Sequence, residues 1–100
     1  MMDINKDIIK EQFQGKAVVH SNIWMYFTQV AVEVIQQCRE LNIAIHGLDA
    51  FRIRSNGIQP SQTHSLRFND RNNGNWEEAI AFIKSKEDTE FVFEIWYKGY

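Results

Sequence analysis

The spacing of apolar residues switches between two periods along this chain, and that switch restricts the fold more than any other feature of the sequence. Between about residues 23 and 41, apolar side chains recur every three or four residues: Trp24, Phe27, Ala31, Val34, Ile35, Cys38 and Leu41. The pattern instead has a period of two, in which every second residue is of similar character, in residues 43–54, 63–68 and 91–97. The first spacing is typical of a helix with one buried face, and the second is typical of a half-buried strand.

The order of these segments predicts an α+β fold. A short helix over residues 3–14 and a long helix over residues 23–41 come first, followed by a hairpin, a helix starting near residue 75, and a closing strand. We expect a small antiparallel sheet, made of the hairpin and the C-terminal strand, packed against two main helices with a short extra N-terminal helix. A chain of 100 residues cannot hold two independent cores, so residues 1–100 are expected to form one domain.

Local signals place the ends of these elements. Ser21 or Asn22 offers a side-chain oxygen to the first turn of the long helix, and Asn75 does the same for the third helix. The pair Asn56-Gly57 favours a tight hairpin turn. Pro60 precedes the predicted second strand of the hairpin and fits an edge or a strand start better than a central position, because proline has no N–H to donate to a neighbouring strand.

The alternation also assigns side chains to the two faces of the sheet. Residues 47–49 interrupt the first strand of the hairpin. After them, Phe51 and Ile53 are predicted to face inward, while Arg52 and Arg54 face solvent. In the closing strand, every second residue from 91 to 97 is predicted to share the buried face.

Composition excludes several classes of protein. The net charge is −2, and no apolar run approaches the roughly 20 residues needed to cross a membrane. Cys38 is the only cysteine, so an intrachain disulfide is impossible. The N-terminus carries no signal-peptide pattern. We therefore expect a cytoplasmic protein with no membrane partner.

Residue types that carry catalysis are present, but not in productive spacings. His20, His46 and His64 stand apart from one another and from Cys38, so no metal-ligand motif is formed. Cys38 lies on the apolar face of the long helix, where a buried thiol is expected. Each glycine stands singly, which argues against a phosphate-binding loop. The sequence predicts no catalytic, cofactor or metal site, and hence a protein that is not an enzyme.

One set of residues keeps a different class open. His46, Arg52, Arg54, His64 and Arg67 fall on the hairpin, and a small ribonuclease needs a general base, a general acid and a cation for the phosphate. The same arginines could instead bind RNA directly. Exposed polar positions on a half-buried sheet explain these residues more simply.

The segment Gly-Leu-Asp-Ala-Phe-Arg-Ile at residues 47–53 resembles a pattern found in a known family. It follows an amphipathic helix and precedes a polar strand, a second helix and an aliphatic-aromatic final strand. Over residues 25–97 this arrangement is similar to the immunity proteins that neutralise anticodon-cleaving colicins of the E group, and to related immunity proteins of contact-dependent inhibition systems. The turn between Asp49 and the Phe-Arg pair is shorter here than in the colicin protein.

The resemblance implies a non-enzymatic inhibitor that occupies the active cleft of a toxic, tRNA-cleaving ribonuclease domain, partly by imitating its RNA substrate. It places Asp49, Phe51 and Arg52 at the contact surface. The partner is then the cognate toxin nuclease domain, with no direct contact to nucleic acid, and the inhibitor acts as a monomer without a cofactor. A generic protein-interaction domain is an alternative.

The C-terminal third of the chain fits such a partner. A nuclease cleft is basic, so its inhibitor needs carboxylates where phosphates would lie and rings where bases would stack. Acidic and aromatic residues are both frequent in this third. Trp96 fits a second buried face as well as it fits an interface. The residues predicted to contact the partner are Asp49, Phe51, Arg52, Asp70, Glu90, Glu94, Trp96 and Tyr100.

Overall fold

The computed structural model of the chain describes residues 8–54, 57–68, 74–86 and 91–97, except for the side chains of residues 54 and 57–63. In chain order the elements are α1 (Ile8–Gln12), a 3₁₀ turn (Gln14–Lys16), β1 (Val18–His20), β2 (Ile23–Phe27), α2 (Thr28–Glu40), β3 (Ile45–Arg54), β4 (Gly57–Arg67), α3 (Trp76–Ser85) and β5 (Phe91–Tyr97). The strands form one antiparallel sheet in the order β1-β2-β5-β3-β4. The predicted α+β class is confirmed, with two strands, β1 and β2, that the sequence did not predict.

One face of the sheet, here called the inner face, carries the core. Phe93 and Ile95 of β5 lie there beside Leu48 of β3, all at most 1% exposed. The ring of Phe82 in α3 meets that of Phe93 edge to face, with 6.4 Å between the ring centres. The predicted inner face of β5 is thereby confirmed. The buried stripe of α2, also predicted, consists of Ala31, Val34, Ile35 and Cys38.

The first turns of the predicted long helix are instead a strand. Ser21 and Asn22 cap no helix: their φ angles of 52° and 67° form the two-residue turn of a hairpin between β1 and β2. Successive positive φ angles are what a tight hairpin turn requires, and the run Ile-Trp-Met-Tyr-Phe that follows favours strands. The interval between Trp24 and Phe27 suits a helix, but β2 turns these side chains to opposite faces. α2 begins only at Thr28.

A bulge near the start of β3 sets which side chains face each side of the sheet. Ile45 lies opposite Tyr97 of β5, but Gly47 lies opposite Trp96, so His46 is one extra residue in β3. An extra residue in one strand reverses the alternation of the side chains that follow it. The predicted interruption at residues 47–49 is wrong, because strand pairing continues through those residues.

The bulge reverses the predicted faces of β3. Ala50 is buried in the core, and Arg52 lies opposite Phe91, which is also an inner-face residue. Phe51, predicted to face inward, lies opposite Val92 on the other side of the sheet, here called the outer face. The sequence could not show this, since a bulge has no residue signature beyond an isolated glycine.

The connection into α3 is fixed by hydrogen bonds to residues at and just before the start of β3. Asn75 has a φ of 63° and its side chain caps no amide of the helix. That side chain donates instead to the carbonyl of Ile45 at 3.0 Å, and the indole of Trp76 donates to the carbonyl of Ile43 at 2.8 Å. Asn75 is the N-cap residue of α3, as predicted, and its carbonyl accepts from the amide of Ala79 at 3.0 Å. The predicted side-chain cap is not formed, because a residue whose side chain caps a helix normally has an extended backbone and this one is left-handed.

The last strand in the sheet order, β4, is longer than the predicted 63–68. It is an edge of the sheet, as Pro60 indicated, but Pro60 lies within the strand and not before it as predicted. Its pairing with β3 shifts between residues 60 and 65. Residues 55 and 56 of the predicted turn, and residues 3–7 of the predicted first helix, lie outside the described residues. In the described ranges, no helix has the length and apolar character needed to span a membrane.

Candidate partner-binding site

The outer face of the sheet brings together side chains from four neighbouring strands. Residues directly opposite one another in antiparallel strands share a face, with Cβ atoms roughly 5 Å apart. The face therefore holds rows of adjacent side chains, and four of the predicted contact residues lie in them. The rows are Phe27–Val92–Phe51, Glu94–Asp49 and Trp96–Gly47–Arg67.

Asp49, Arg67 and Trp96 form a hydrogen-bonded group at one end of the outer face, here called the Trp96 cluster. The indole Nε1–H of Trp96 donates to Oδ2 of Asp49 at 2.8 Å. Nη2 of Arg67 donates to the same oxygen at 3.1 Å and lies 3.0 Å from Oδ1. The guanidinium carbon of Arg67 is 5.6 Å from the centre of the Trp96 ring, within the range of a cation–π contact. Three strands thus contribute one side chain each to a single unit.

Gly47 makes this arrangement possible. Arg67 lies across β3 where residue 47 would carry a side chain: a Cβ there would be 2.5 Å from the carbonyl oxygen of Leu66 and 2.9 Å from Cδ of Arg67. In this position Nη1 of Arg67 donates to the carbonyls of Leu66 at 2.9 Å and Leu48 at 3.2 Å. The glycine is needed for close approach between β3 and β4.

The two acids on this face are enclosed. Glu94 is 6% exposed. The side chain of Asp49 is 16% exposed, and both of its oxygens contact Arg67. The expectation that these two carboxylates are presented freely to a basic cleft is not met. The reason is their position: Glu94 lies on β5 and Asp49 on β3, and each of these strands is paired on both sides. Asp49 is also in contact with Arg67 and Trp96.

Phe51 and Arg52 are separated by the sheet. Phe51 is half-buried on the outer face, whereas the guanidinium carbon of Arg52 lies 4.7 Å from the ring centre of Phe91 on the inner side. Because the two groups lie on opposite faces of the sheet, a partner surface that contacts the Trp96 cluster cannot also contact Arg52. The other predicted contact residues, Asp70, Glu90 and Tyr100, lie outside the described residues.

Sequence reasoning missed two members of the outer face. It placed Arg67 in the ribonuclease or RNA-binding set and not among the partner contacts, and it placed Phe27 on the buried side of a helix. In the structure the side chain of Arg67 is 54% exposed and Phe27 is 44% exposed. The signal for Arg67 is a glycine directly opposite a long side chain, which becomes visible only when the strand register is known.

The two histidines of the ribonuclease alternative are not brought together, although His64 and Arg52 both lie against the ring of Phe91, 5.2 Å and 4.7 Å from its centre. The side chain of Arg54 lies outside the described residues. His46 is exposed at the bulge in β3. His64 of β4 is next to Ser65, the partner of Asp49 in β3, and its ring lies on the inner face. Since His46 and Asp49 are three residues apart along β3, the two histidines are roughly 10 Å apart along the sheet. Arg67 is paired with Asp49 on the outer face. The described side chains therefore provide no general acid–base pair beside a phosphate-binding cation.

Within the ranges that the structure describes, no three His, Cys, Asp or Glu side chains lie close enough together to hold a metal ion. An open cleft of about 680 Å³ lies at the start of α3, lined in part by Arg39, Trp76, Glu77 and Glu78. These lining residues place no nucleophile beside a base, so the cleft does not suggest a reaction.

Comparison with protein-family models, curated proteins and solved structures found no match to this chain. A functional proposal therefore depends on the chain's own residues. Among the described side chains, the Trp96 cluster has the most specific geometry.

Proposed function

We propose that this protein is an immunity protein, which binds and neutralises the nuclease domain of a bacterial toxin through the outer face of its sheet. The observation that carries this proposal is an exposed tryptophan, Trp96, held in place by Asp49 and Arg67. The resemblance of residues 47–53 to the colicin immunity family supports the same class of partner. The proposed inhibitor acts in the cytoplasm as a monomer, without a cofactor.

Protein interfaces concentrate their binding energy in residues of the types found here. Tryptophan and arginine are enriched among the few residues that dominate an interface. Covering the exposed 37% of Trp96 would remove on the order of 80 Å² of largely apolar surface from water, which stabilises a complex by about 2 kcal/mol at ~25 cal/mol per Å². Because the indole is already fixed by its hydrogen bond, little side-chain entropy is lost on binding.

The proposed mode of inhibition is coverage of the nuclease cleft. The resemblance implies substrate mimicry, but Asp49 and Glu94 are engaged or buried within the sheet. On this face the partner would meet the ring of Trp96, the guanidinium of Arg67 and the exposed ring of Phe27. Any imitation of phosphates would have to use other acids of the chain.

The direct test is binding to the toxin domain encoded by the reading frame immediately upstream. Full-length protein should form a tight complex with that domain in calorimetry and should stop its cleavage of tRNA. Trp96→Ala should weaken the complex by about 30-fold, the equivalent of about 2 kcal/mol. Leu41→Ala is a matched control, because Leu41 is also an exposed apolar residue but lies at the end of α2.

Two outcomes would contradict the proposal. One is a wild-type protein that neither binds nor inhibits the toxin domain. The other is tRNA cleavage by the purified protein alone that is abolished in His46→Ala or His64→Ala, which would favour the ribonuclease alternative. Equal losses of affinity in Trp96→Ala and Leu41→Ala would show that the interface is not centred on the outer face.

A further inference from the structure

We infer that Asp49 is a positioning residue, which fixes Trp96 and Arg67 as a rigid surface, and that this surface receives an apolar or aromatic side chain of the partner and not a basic one. The choice of occupant rests on the proposed function, whereas the positioning role concerns this chain alone. The sequence resemblance gives Asp49 a different role, a carboxylate that touches the partner directly.

The hydrogen bonds of Asp49 are all directed within the sheet. Oδ2 accepts from the indole of Trp96 at 2.8 Å and from Nη2 of Arg67 at 3.1 Å, and Oδ1 lies 3.0 Å from the same nitrogen. Bonds to an ionised acceptor are stronger than neutral ones. With its side chain 16% exposed, Asp49 has little surface left for a partner to contact.

The guanidinium of Arg67 is also held from several directions. Nη1 donates to the carbonyls of Leu48 and Leu66, while Nη2 is paired with Asp49. The flat group therefore cannot swing freely, although the side chain is 54% exposed. An immobilised guanidinium beside an exposed indole forms a rigid surface of two planar groups.

The charges of the Trp96 cluster determine what can dock on it. The positive charge of Arg67 already offsets the negative charge of Asp49 at 3.0 Å. A lysine or arginine from the partner would have to displace Arg67 from that carboxylate and would meet a like charge as it approached. An apolar or aromatic side chain displaces no ion pair and covers the exposed part of the Trp96 ring. The cluster is therefore complementary to an uncharged side chain.

The positioning role is measured without a partner. In ¹⁵N-labelled full-length protein, the indole N–H resonance of Trp96 is assigned by its disappearance in Trp96→Phe, and its hydrogen exchange is followed. Asp49→Leu should speed that exchange by about 10-fold or more, because a charge-assisted hydrogen bond is lost. Glu33→Leu is the matched control: it removes another paired carboxylate, 3.5 Å from Lys16, on α2. Unchanged exchange in Asp49→Leu would overturn the positioning role.

The nature of the docked group is measured with the upstream toxin domain and two substitutions of Asp49. Asp49→Asn keeps an oxygen that can accept from the indole but removes the charge, so its affinity should stay within about 5-fold of wild type. Asp49→Leu should lose about 30-fold, as expected when a dominant interface residue is no longer held in place. Thermal unfolding of both variants shows whether a loss of affinity arises from a loss of folded protein.

The outcomes separate the two claims. If Asp49→Asn binds as poorly as Asp49→Leu while remaining folded, the charge itself contacts the partner and the inference is wrong, although the proposed function stands. The same conclusion follows if the ratio of wild-type to Asp49→Asn affinities falls steeply between about 0.05 and 0.5 M salt, where exposed ion pairs are screened. If the wild-type protein does not bind the toxin domain, both the proposed function and the inference about the docked side chain are wrong. The hydrogen exchange of the indole then still tests the positioning role of Asp49.

Discussion

Replacing Gly47 with alanine would put a methyl group at a close approach between β3 and β4. Its Cβ would lie 2.5 Å from the carbonyl oxygen of Leu66, whereas such carbon–oxygen contacts are normally no shorter than roughly 3.3 Å, so one strand would have to move by roughly 0.8 Å. Cδ of Arg67, at 2.9 Å, belongs to a flexible side chain and can turn away. The carbonyl cannot move without disturbing the pairing of β3 with β4. We expect a loss of about 2 kcal/mol in the free energy of unfolding, within the range found for overpacked positions.

The measurement is urea and thermal unfolding followed by circular dichroism. A loss of about 2 kcal/mol should lower the melting temperature by roughly 8–16 °C in a domain of this size. Gly15→Ala is the matched control, because no atom outside the local backbone lies within 4 Å of the added Cβ. Its stability should stay within about 0.5 kcal/mol of wild type or rise slightly. If the two alanine variants are equally stable, β3 and β4 do not approach so closely at Gly47, and the reasoning about Arg67 fails with it.

Two further substitutions test the hairpin turn at Asn22 and the burial of Glu94. Asn22→Gly should leave the free energy of unfolding, measured with urea, unchanged or raise it by about 0.5–1 kcal/mol, because glycine adopts a φ of 67° without strain. A clear loss of stability would instead favour a helix that starts at this residue. Glu94→Lys should lose about 3 kcal/mol or more, since it would put an ammonium group at a position only 6% exposed. A Glu94→Lys protein with wild-type stability would show that residue 94 reaches solvent.

The sequence correctly predicted those features that depend only on neighbouring residues in the chain. The apolar stripe of α2 from Ala31 to Cys38 was predicted, because the three- and four-residue intervals follow from the geometry of the helix itself. The faces of β5 were predicted as well, since simple alternation persists where no bulge interrupts a strand. The α+β class followed from the order of these segments.

Errors arose where two structures fit the same local pattern. Trp24 and Phe27 are three residues apart, which suits a helix, but the left-handed turn at Ser21 and Asn22 starts a strand instead. Aromatic and β-branched residues gain most of their stability in strands by packing against neighbouring strands. For β2 one such neighbour is β5, about 65 residues further along the chain, and nothing within residues 21–27 indicates that it will be there.

For the candidate site, the sequence by itself determined the residue types and named Asp49 and Trp96, but it gave them roles based on composition and resemblance. Only the tertiary structure decided which side chains share a surface. One extra residue, His46, shifts β3 by one position against β5, and that shift puts Gly47 beside Trp96, turns Phe51 outward and turns Arg52 inward. The physical reason is that strand register depends on pairing between distant segments, and a shift of one residue moves every later side chain to the opposite face of the sheet.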